Sequence, residues 1–428
     1  MSSDQRATLD EILHAIGQEH LLAAVHSEAE IGRLLRGVQS LDLPLLFKLQ
    51  ERLKQKPLEH TYIPPTLINP SDEYIDESHF GCLILAGGQA SRIRIKGAKG
   101  CLPTSLIAQK PLFQMHAEKI LAASCQRGHP IPLAIMTSPC IQAETEIFFQ
   151  QHAYFGLKPS LVSFFSQTQW PLLDFEGNLF LNEPGKLACG PNGNGDVYRR
   201  FVKSGIWQRW QNEGIEHVRV MPVDNPLALP INHELFATHL THGNDVTIQA
   251  VKMQKDEKAG LLSLIDGKLG VIEYGEHKEQ QGELYANIGL FAFSMPFMKR
   301  AADLCLPIHI AKKAVKTLEE DIPEKPNACK FETYIFDAFS LSNKSEAFPC
   351  SRHKYYAPLK NLEGEGSITA VQQAVLANER EIFTKITGNR PPESAQFELS
   401  ADFYYPTNDQ LEKWKGKPFP GEQLIEDL

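Results

Sequence analysis

Leu85-Ala86-Gly87-Gly88-Gln89-Ala90-Ser91-Arg92, with Gly97-Ala98-Lys99-Gly100 close behind, is the stretch on which the reading of this chain turns. Residues 82–86 are a short apolar run, the length of a buried strand and too short for a buried helix. The run leads straight into paired glycines, which carry no Cβ and let backbone N–H groups approach an anion closely. Arg92, Arg94, Lys96 and Lys99 then place four positive charges within eight residues. Such a loop either cradles a phosphate or is a solvated basic turn. It has neither the Gly-x-x-x-x-Gly-Lys-Ser/Thr nor the Gly-x-Gly-x-x-Gly spacing.

Outward from that loop, strand-like and helix-like stretches alternate. Phe113, Ala117, Ile120 and Leu121 share one face of a helix over 112–123, and 133–136 reads as a strand. A helix over 143–152, a strand over 161–165, a helix over 197–210 and a strand over 217–223 follow. The alternation predicts an α/β fold, a Rossmann-like, mostly parallel sheet with helices on both faces. Sheets of that kind bind ligands at the carboxyl ends of their strands. Further strands at 246–251, 270–274 and 284–293 are less regularly interleaved, which makes the expected sheet mixed.

Upstream, Leu9, Ile12, Leu13 and Ile16 repeat at helical spacing, as do Ile31, Leu34, Leu35 and Val38, and then Leu45, Leu46, Leu49 and Leu53. Thr8 with Glu11 reads as a capping box. Residues 57–70 hold four prolines and read as a linker. The expected organisation is an N-terminal helical region and linker over 1–78, a large α/β domain over 79–345, and a small C-terminal module over 346–428.

The 428 residues, 42% hydrophobic and 22% charged, suit a soluble globular chain of two or three domains. A net charge of −9 argues against a general nucleic-acid or anionic-membrane binder. No apolar run approaches the roughly 20 residues of a membrane span. The polar start is unlike a signal peptide, so a cytoplasmic protein is expected. The eight cysteines form no Cys-x-x-Cys pair and are read as reduced thiols, most of them buried. The histidines show no zinc-binding spacing.

The glycine loop resembles the L-A-G-G-Q-G-T-R-L-G and P-K-G signature of nucleotide-sugar pyrophosphorylases. Further segments follow in the same order: Met136-Thr137-Ser138, Tyr154-Phe155-Gly156-Leu157, Phe164-Phe165-Ser166-Gln167, and Gly190-Pro191-Asn192-Gly193-Asn194-Gly195 with Tyr198-Arg199. Val223-Asp224-Asn225 and Tyr356-Ala357-Pro358-Leu359-Lys360-Asn361 complete the set. Together, over about 80–380, they resemble the eukaryotic-type UDP-sugar pyrophosphorylase family, which includes UDP-N-acetylglucosamine and UDP-glucose pyrophosphorylases. The departures are Ala90 for Gly, Ser91 for Thr, Arg94 for Gly, and Ala98 for the Pro before the lysine.

The resemblance implies a nucleotidyltransferase sheet and a uridylyltransferase that joins UTP and a sugar 1-phosphate, releasing pyrophosphate. Such a reaction needs charge neutralisation and alignment more than acid–base groups. Arg92, Lys99 and Lys360 are the implied catalytic cations. Leu85, Ala86, Gly87, Gly88, Gln167, Gly193 and Asp224 are implied in nucleotide binding, with Asp224 also on Mg²⁺. Asn194, Glu273, Asn287 and Phe336 are implied in holding the sugar. Plainer readings stand beside these: Asp224 could cap a turn before Pro226, Gln167 could be a surface amide, and Glu273 an outward carboxylate on a strand. Val271-Ile272-Glu273-Tyr274 and Lys330-Phe331-Glu332-Thr333-Tyr334-Ile335-Phe336-Asp337 resemble the acetylhexosamine branch, which makes N-acetylglucosamine 1-phosphate the expected acceptor. Glucose 1-phosphate, a broad sugar range, or a nucleotide-sugar binder of weak activity are the alternatives.

Overall fold

β1 (Phe80–Leu85) lies in the middle of a mixed sheet, in a computed structural model that describes residues 2–56, 61–88, 97–255, 257–273, 276 and 282–426. Arg92 and the rest of 89–96, and Tyr274, lie outside the described residues. The other strands are β2 (Leu133–Thr137), β3 (Val162–Ser166), β4 (His217–Pro222), β5 (Val246–Lys252), β6 (Leu261–Ile265), β7 (Lys268–Ile272), β8 (Tyr285–Ser294) and β9 (Ser345–Pro349). Strands run in the order β7-β6-β8-β4-β1-β2-β3, and β5 joins β8 to β9. β4, β1, β2 and β3 are parallel, whereas β8 is antiparallel to β4, β5 and β6. This is the α/β architecture the alternation predicts, with the irregular later strands supplying the antiparallel part.

Side chains on β1 alternate between two packed faces, as strand geometry requires. Phe80, Cys82 and Ile84 enter the core that includes Leu112, Phe113, Ile120 and Phe236. Gly81 faces the other way, and a Cβ there would stand 2.4 Å from the ring of buried Trp210. Helix Leu112–Arg127 ends at Gly128, whose φ of 72° is the left-handed conformation typical of a helix stop. The helix expected over 197–210 is instead two, Val197–Lys203 and Ile206–Asn212, because Gly205 at φ 79° cannot continue a right-handed turn. Thr8 proves to be inside helix Ser2–Ala15, donating to the Asp4 carbonyl, so it caps no helix start. A true capping box opens helix Glu28–Gln39, from Ser27 and Glu30.

By internal contacts the chain forms two compact units, which cut across the three expected segments. One gathers residues 1–59, 168–196 and 305–334; the other holds 60–167, 197–304 and 335–428, with the whole nine-stranded sheet. In the first unit the apolar stripes of the N-terminal helices, Leu9, Leu13, Leu34, Leu46 and Leu49 among them, are buried with Leu173, Leu179, Leu187 and Phe331. A stripe of that width needs a partner surface, and two later segments of chain supply it. In the second unit residues 61–79 run along the sheet without helix. Ile68 donates to the Ala347 carbonyl, and Ser71 to the Thr238 hydroxyl. The C-terminal residues build a core of their own from Leu376, Phe383, Phe397, Phe403 and Trp414. Cys82 and Cys329 are buried, but Cys125, Cys140, Cys189 and Cys305 are exposed, so burial of most cysteines is not met. No helix among the described residues is long and apolar enough to cross a membrane.

Half-buried His217 and buried His239 form a pair behind β1. Their ring nitrogens are 3.1 Å apart, and Phe80 stacks on His217. Burial holds His217 down at about 4 and His239 well below the ordinary histidine range, His217 adding to the effect on His239. Both rings are therefore neutral in the fold while their unfolded counterparts charge near 6.5. Stability is thus full above pH 6.5 and is lost as pH falls towards 4. A loss of about 2–3 kcal/mol from His217 alone is expected. Urea unfolding at pH 8, 6 and 4.5 checks it, and a flat profile would contradict the neutral pair.

Candidate active site

The carboxyl ends of β1, β2 and β4 finish level, because Leu85 is opposite both Met136 and Pro222. Ala86 donates to the Met136 carbonyl at 2.7 Å and Val223 to the Leu85 carbonyl at 3.0 Å. This register delivers Gly87 and Asp224 to the same edge of the sheet. Lys99 begins the turn Lys99–Cys101, which rests on Phe113: a Cβ on Gly100 would meet that ring at 2.3–2.5 Å. From there the Lys99 ammonium donates to Asp224 Oδ2 at 3.2 Å and to the Leu359 carbonyl at 3.1 Å. Asp224 is one-fifth exposed, and its Oδ1 accepts no hydrogen bond among the described residues.

Lys360 reaches the same edge through backbone pairing. Leu359 donates to the Asp224 carbonyl at 2.8 Å, and Lys360 to the Gly366 carbonyl. Asn225 clamps this segment from both sides of its amide, donating to the Tyr355 carbonyl at 2.7 Å and accepting from the Ala357 N–H at 3.0 Å. The Lys360 ammonium donates to the Tyr356 hydroxyl at 3.1 Å. Burial alone would lower its pKa, but Tyr356 and Asp224 outweigh that and raise it, so Lys360 stays cationic at neutral pH.

Gln167 is buried, not a surface amide. Its side-chain nitrogen packs so closely on Gly87 that a Cβ there would stand 2.0 Å away, while its Oε1 is buried with no hydrogen-bond partner among the described residues. An orphaned carboxamide oxygen is costly in an apolar setting and suits a ligand N–H. Leu85 and Ala86 pair through their backbones with Val223 and Met136, and Gly88 is exposed with open space where a Cβ would be. The Asn287 backbone N–H donates to the Gly260 carbonyl at 2.8 Å, and a Cβ on Gly260 would lie 3.3 Å from Glu273 Oε2. The Asn287 Oδ1 accepts from Gly289, closing a bulge in β8. Phe336 is buried in the 3-10 helix Ile335–Leu341, which packs beside β7, just before Glu273.

Gly193 and Asn194 belong to the other unit. There Gly193 has a φ of 92°, and a Cβ would strike the Thr333 carbonyl at 2.3 Å. Asn192 pairs with Thr333, and the Thr168 N–H and hydroxyl both donate to Asp196. Glycine at 193 is thus required by the fold of that loop itself.

Several residues behind the site have no place in the sequence reading. The Nε2–H of His116 donates to the Val223 carbonyl at 2.9 Å, which puts the ring proton on Nε2. Burial holds His116 down at about 4, with Lys119 adding to it. The Lys119 ammonium donates to the Pro226 carbonyl at 2.6 Å, and burial lowers its pKa to about 8. The available signal was spacing: Leu112, His116, Lys119 and Ala123 fall on one helical face, and all four are buried.

The α/β sheet, with its basic and acidic groups gathered at the carboxyl ends of parallel strands, defines a nucleotide-binding class of architecture. The family model for UTP–glucose-1-phosphate uridylyltransferase matches residues 59–389, and the chain belongs to that family. The chain is 32% identical over 392 residues to UDP-N-acetylglucosamine pyrophosphorylase of Saccharomyces cerevisiae, covering 82% of this chain and 81% of that protein. Among solved structures, a putative UDP-N-acetylglucosamine pyrophosphorylase from Entamoeba histolytica superposes with a TM-score of 0.72 at 26% identity, covering 82% and 93% of the two chains. The Trypanosoma brucei uridine diphosphate N-acetylglucosamine pyrophosphorylase, in complex with an inhibitor, shares the fold with a TM-score of 0.77 at 22% identity over 99% and 98%.

The glycines of this edge differ in what a side chain would cost. Gly100→Ala must displace the buried Phe113 ring and is expected to lower the unfolding free energy by about 1–3 kcal/mol. Gly88→Ala meets open space and should change it by less than about 0.5 kcal/mol. Urea denaturation of the matched pair checks both values.

Proposed function

We propose that the chain is a uridylyltransferase that joins UTP to N-acetylglucosamine 1-phosphate, releasing pyrophosphate. The observation that carries this reading is the Lys99–Asp224 pair at the strand ends, at the same sheet edge as Gly87 with the buried Gln167 carboxamide against it. In the reaction an oxygen of the sugar phosphate attacks the α-phosphorus of UTP while pyrophosphate leaves from the opposite side. The nucleophile is already an anion, so the protein's task is to align two highly charged reactants and neutralise the charge of the leaving group.

On this reading the uracil edge lies against Gln167, whose Oε1 accepts the ring N–H. Arg92 and Lys99 take the triphosphate, and Lys360, cationic at working pH, takes the phosphate charge nearest Tyr356. Asp224 fits a Mg²⁺ site in chemistry: Mg²⁺ is commonly held by one or two carboxylates plus substrate phosphates, and the Asp224 Oδ1 accepts no hydrogen bond among the described residues. Bound there, Mg²⁺ would neutralise phosphate charge, and Lys99 would turn from Asp224 towards the triphosphate. Glu273 and Asn287 are proposed to meet hydroxyls of the sugar ring. Phe336 is proposed as the apolar wall for the acetamido methyl.

Pyrophosphate release from UTP, Mg²⁺ and a panel of sugar 1-phosphates tests the reading. A higher kcat/KM for N-acetylglucosamine 1-phosphate than for glucose 1-phosphate is expected; the reverse order would reassign the acceptor, and no turnover of either would leave a binding protein. Asp224→Asn is expected to lower kcat by on the order of 10²-fold with the circular dichroism unchanged. Near-normal turnover at limiting Mg²⁺ would remove Asp224 from the site. Gly87→Ala pushes the far end of a flexible side chain, so it should leave stability nearly intact. Losing the Gln167 contact should raise the KM for UTP about tenfold, measured by varying UTP at saturating acceptor.

A further inference from the structure

The segment that follows β4 carries Asp224, and four of its carbonyls are each held by a distant side chain. His116 holds Val223, Lys119 holds Pro226, Arg219 holds Leu229 and Tyr405 holds Ile231. Lys119 is the unusual holder. Its ammonium is buried, and apart from the Pro226 carbonyl it rests 4.0 Å from the centroid of the Tyr404 ring. On the ring's other end the Tyr404 hydroxyl donates to Glu379 Oε1 at 2.9 Å, and Glu379 Oε2 accepts from the Leu399 N–H at 3.1 Å. Glu379 is itself buried. Tyr404 therefore stands between a buried cation and a buried carboxyl group, whose pKa burial raises to about 8, its ring face turned to one and its hydroxyl to the other.

Packing alone does not call for this arrangement. A methionine would fill much the same volume without the desolvation of an ammonium. What a methionine cannot do is donate to the Pro226 carbonyl, two residues from Asp224. We infer that Lys119 is a positioning residue, which fixes the Pro226 carbonyl and thereby the aim of Asp224, and that Tyr404 and Glu379 give the C-terminal segment its hold on the site through it. The inference rests on the uridylyltransferase reading only for what Asp224 is aimed at.

The test compares Lys119→Met, Lys119→Arg and Tyr404→Phe in the full chain, by steady-state kinetics and by amide exchange over 223–231. Lys119→Met is expected to melt cooperatively, to lose about tenfold in kcat, and to keep the KM for the sugar phosphate within about twofold. Exchange should quicken at Val223, Leu227, Ala228 and Ile231, whose N–H groups are bonded in the native loop. Lys119→Arg should recover most of the loss, since a guanidinium can again donate to the carbonyl over the ring. Tyr404→Phe keeps the ring and removes the link to Glu379, so a smaller loss in the same direction is expected. Exchange and kcat both within twofold of the parent in Lys119→Met would overturn the inference. So would a loss that arginine does not recover and that comes with faster exchange throughout the fold. Should Lys119→Met not fold, the arginine and Tyr404 variants decide by the same two measurements. A parent protein without turnover would defeat the functional reading instead, and exchange in the 223–231 loop alone would then decide the positioning role.

Discussion

Lys99 can meet Asp224 only because β1 and β4 run parallel and in register. Each strand ends at the same height, Leu85 beside Pro222, and the backbone bond from Val223 to the Leu85 carbonyl carries the pairing one residue past the strand. A one-residue slip would turn every side chain of the strand to the opposite face. Phe80, Cys82 and Ile84 on one side and Gly81 under Trp210 on the other make such a slip expensive. The core thus sets the register, and the register sets the ion pair.

Around that pair the chain spends hydrogen bonds from far away to hold one loop still. Asn225 ties it to the segment ending at Lys360, while His116, Lys119, Arg219 and Tyr405 take its carbonyls. Two of these holders, Lys119 and Arg219, are buried cations whose pKa values burial lowers, to about 8 and about 10. Buried polar groups of this sort add little to net stability, yet they specify one arrangement among many. A reaction that depends on alignment benefits from that kind of order.

The glycines divide along the same line. Gly87 is a glycine because Gln167 lies on it, Gly100 because Phe113 does, and Gly193 because of both its φ and Thr333. Gly88, by contrast, has open space where its side chain would be. Close packing therefore explains much of a glycine-rich pattern that phosphate binding alone would have been asked to explain, and the two demands are compatible at Gly87, where the packed neighbour is itself a polar group with an unpaired oxygen.

Local pattern was enough for the parallel half of the sheet, since a strand of two-residue period and a helix of 3.6 are written in neighbouring residues. The run 82–86, the helix from Leu112 and the ordered motifs at Gln167, Asp224 and Lys360 were all legible in that way, and through the motifs so was membership of the family. The two-unit division was not, because the partners of the N-terminal helices, Leu173 and Phe331, are more than a hundred residues away in the chain. The break at Gly205 was written in the sequence, but helical periodicity on either side concealed it. His116 and Lys119 had no place in the sequence reading, because only the fold brings the Val223 and Pro226 carbonyls to them. Amino-acid sequence by itself determined which segments become strands and helices and which residues could bear the chemistry. Tertiary structure alone decided which carbonyl each buried cation meets, because that depends on distances closed across 10 to 260 residues of chain rather than on any local spacing.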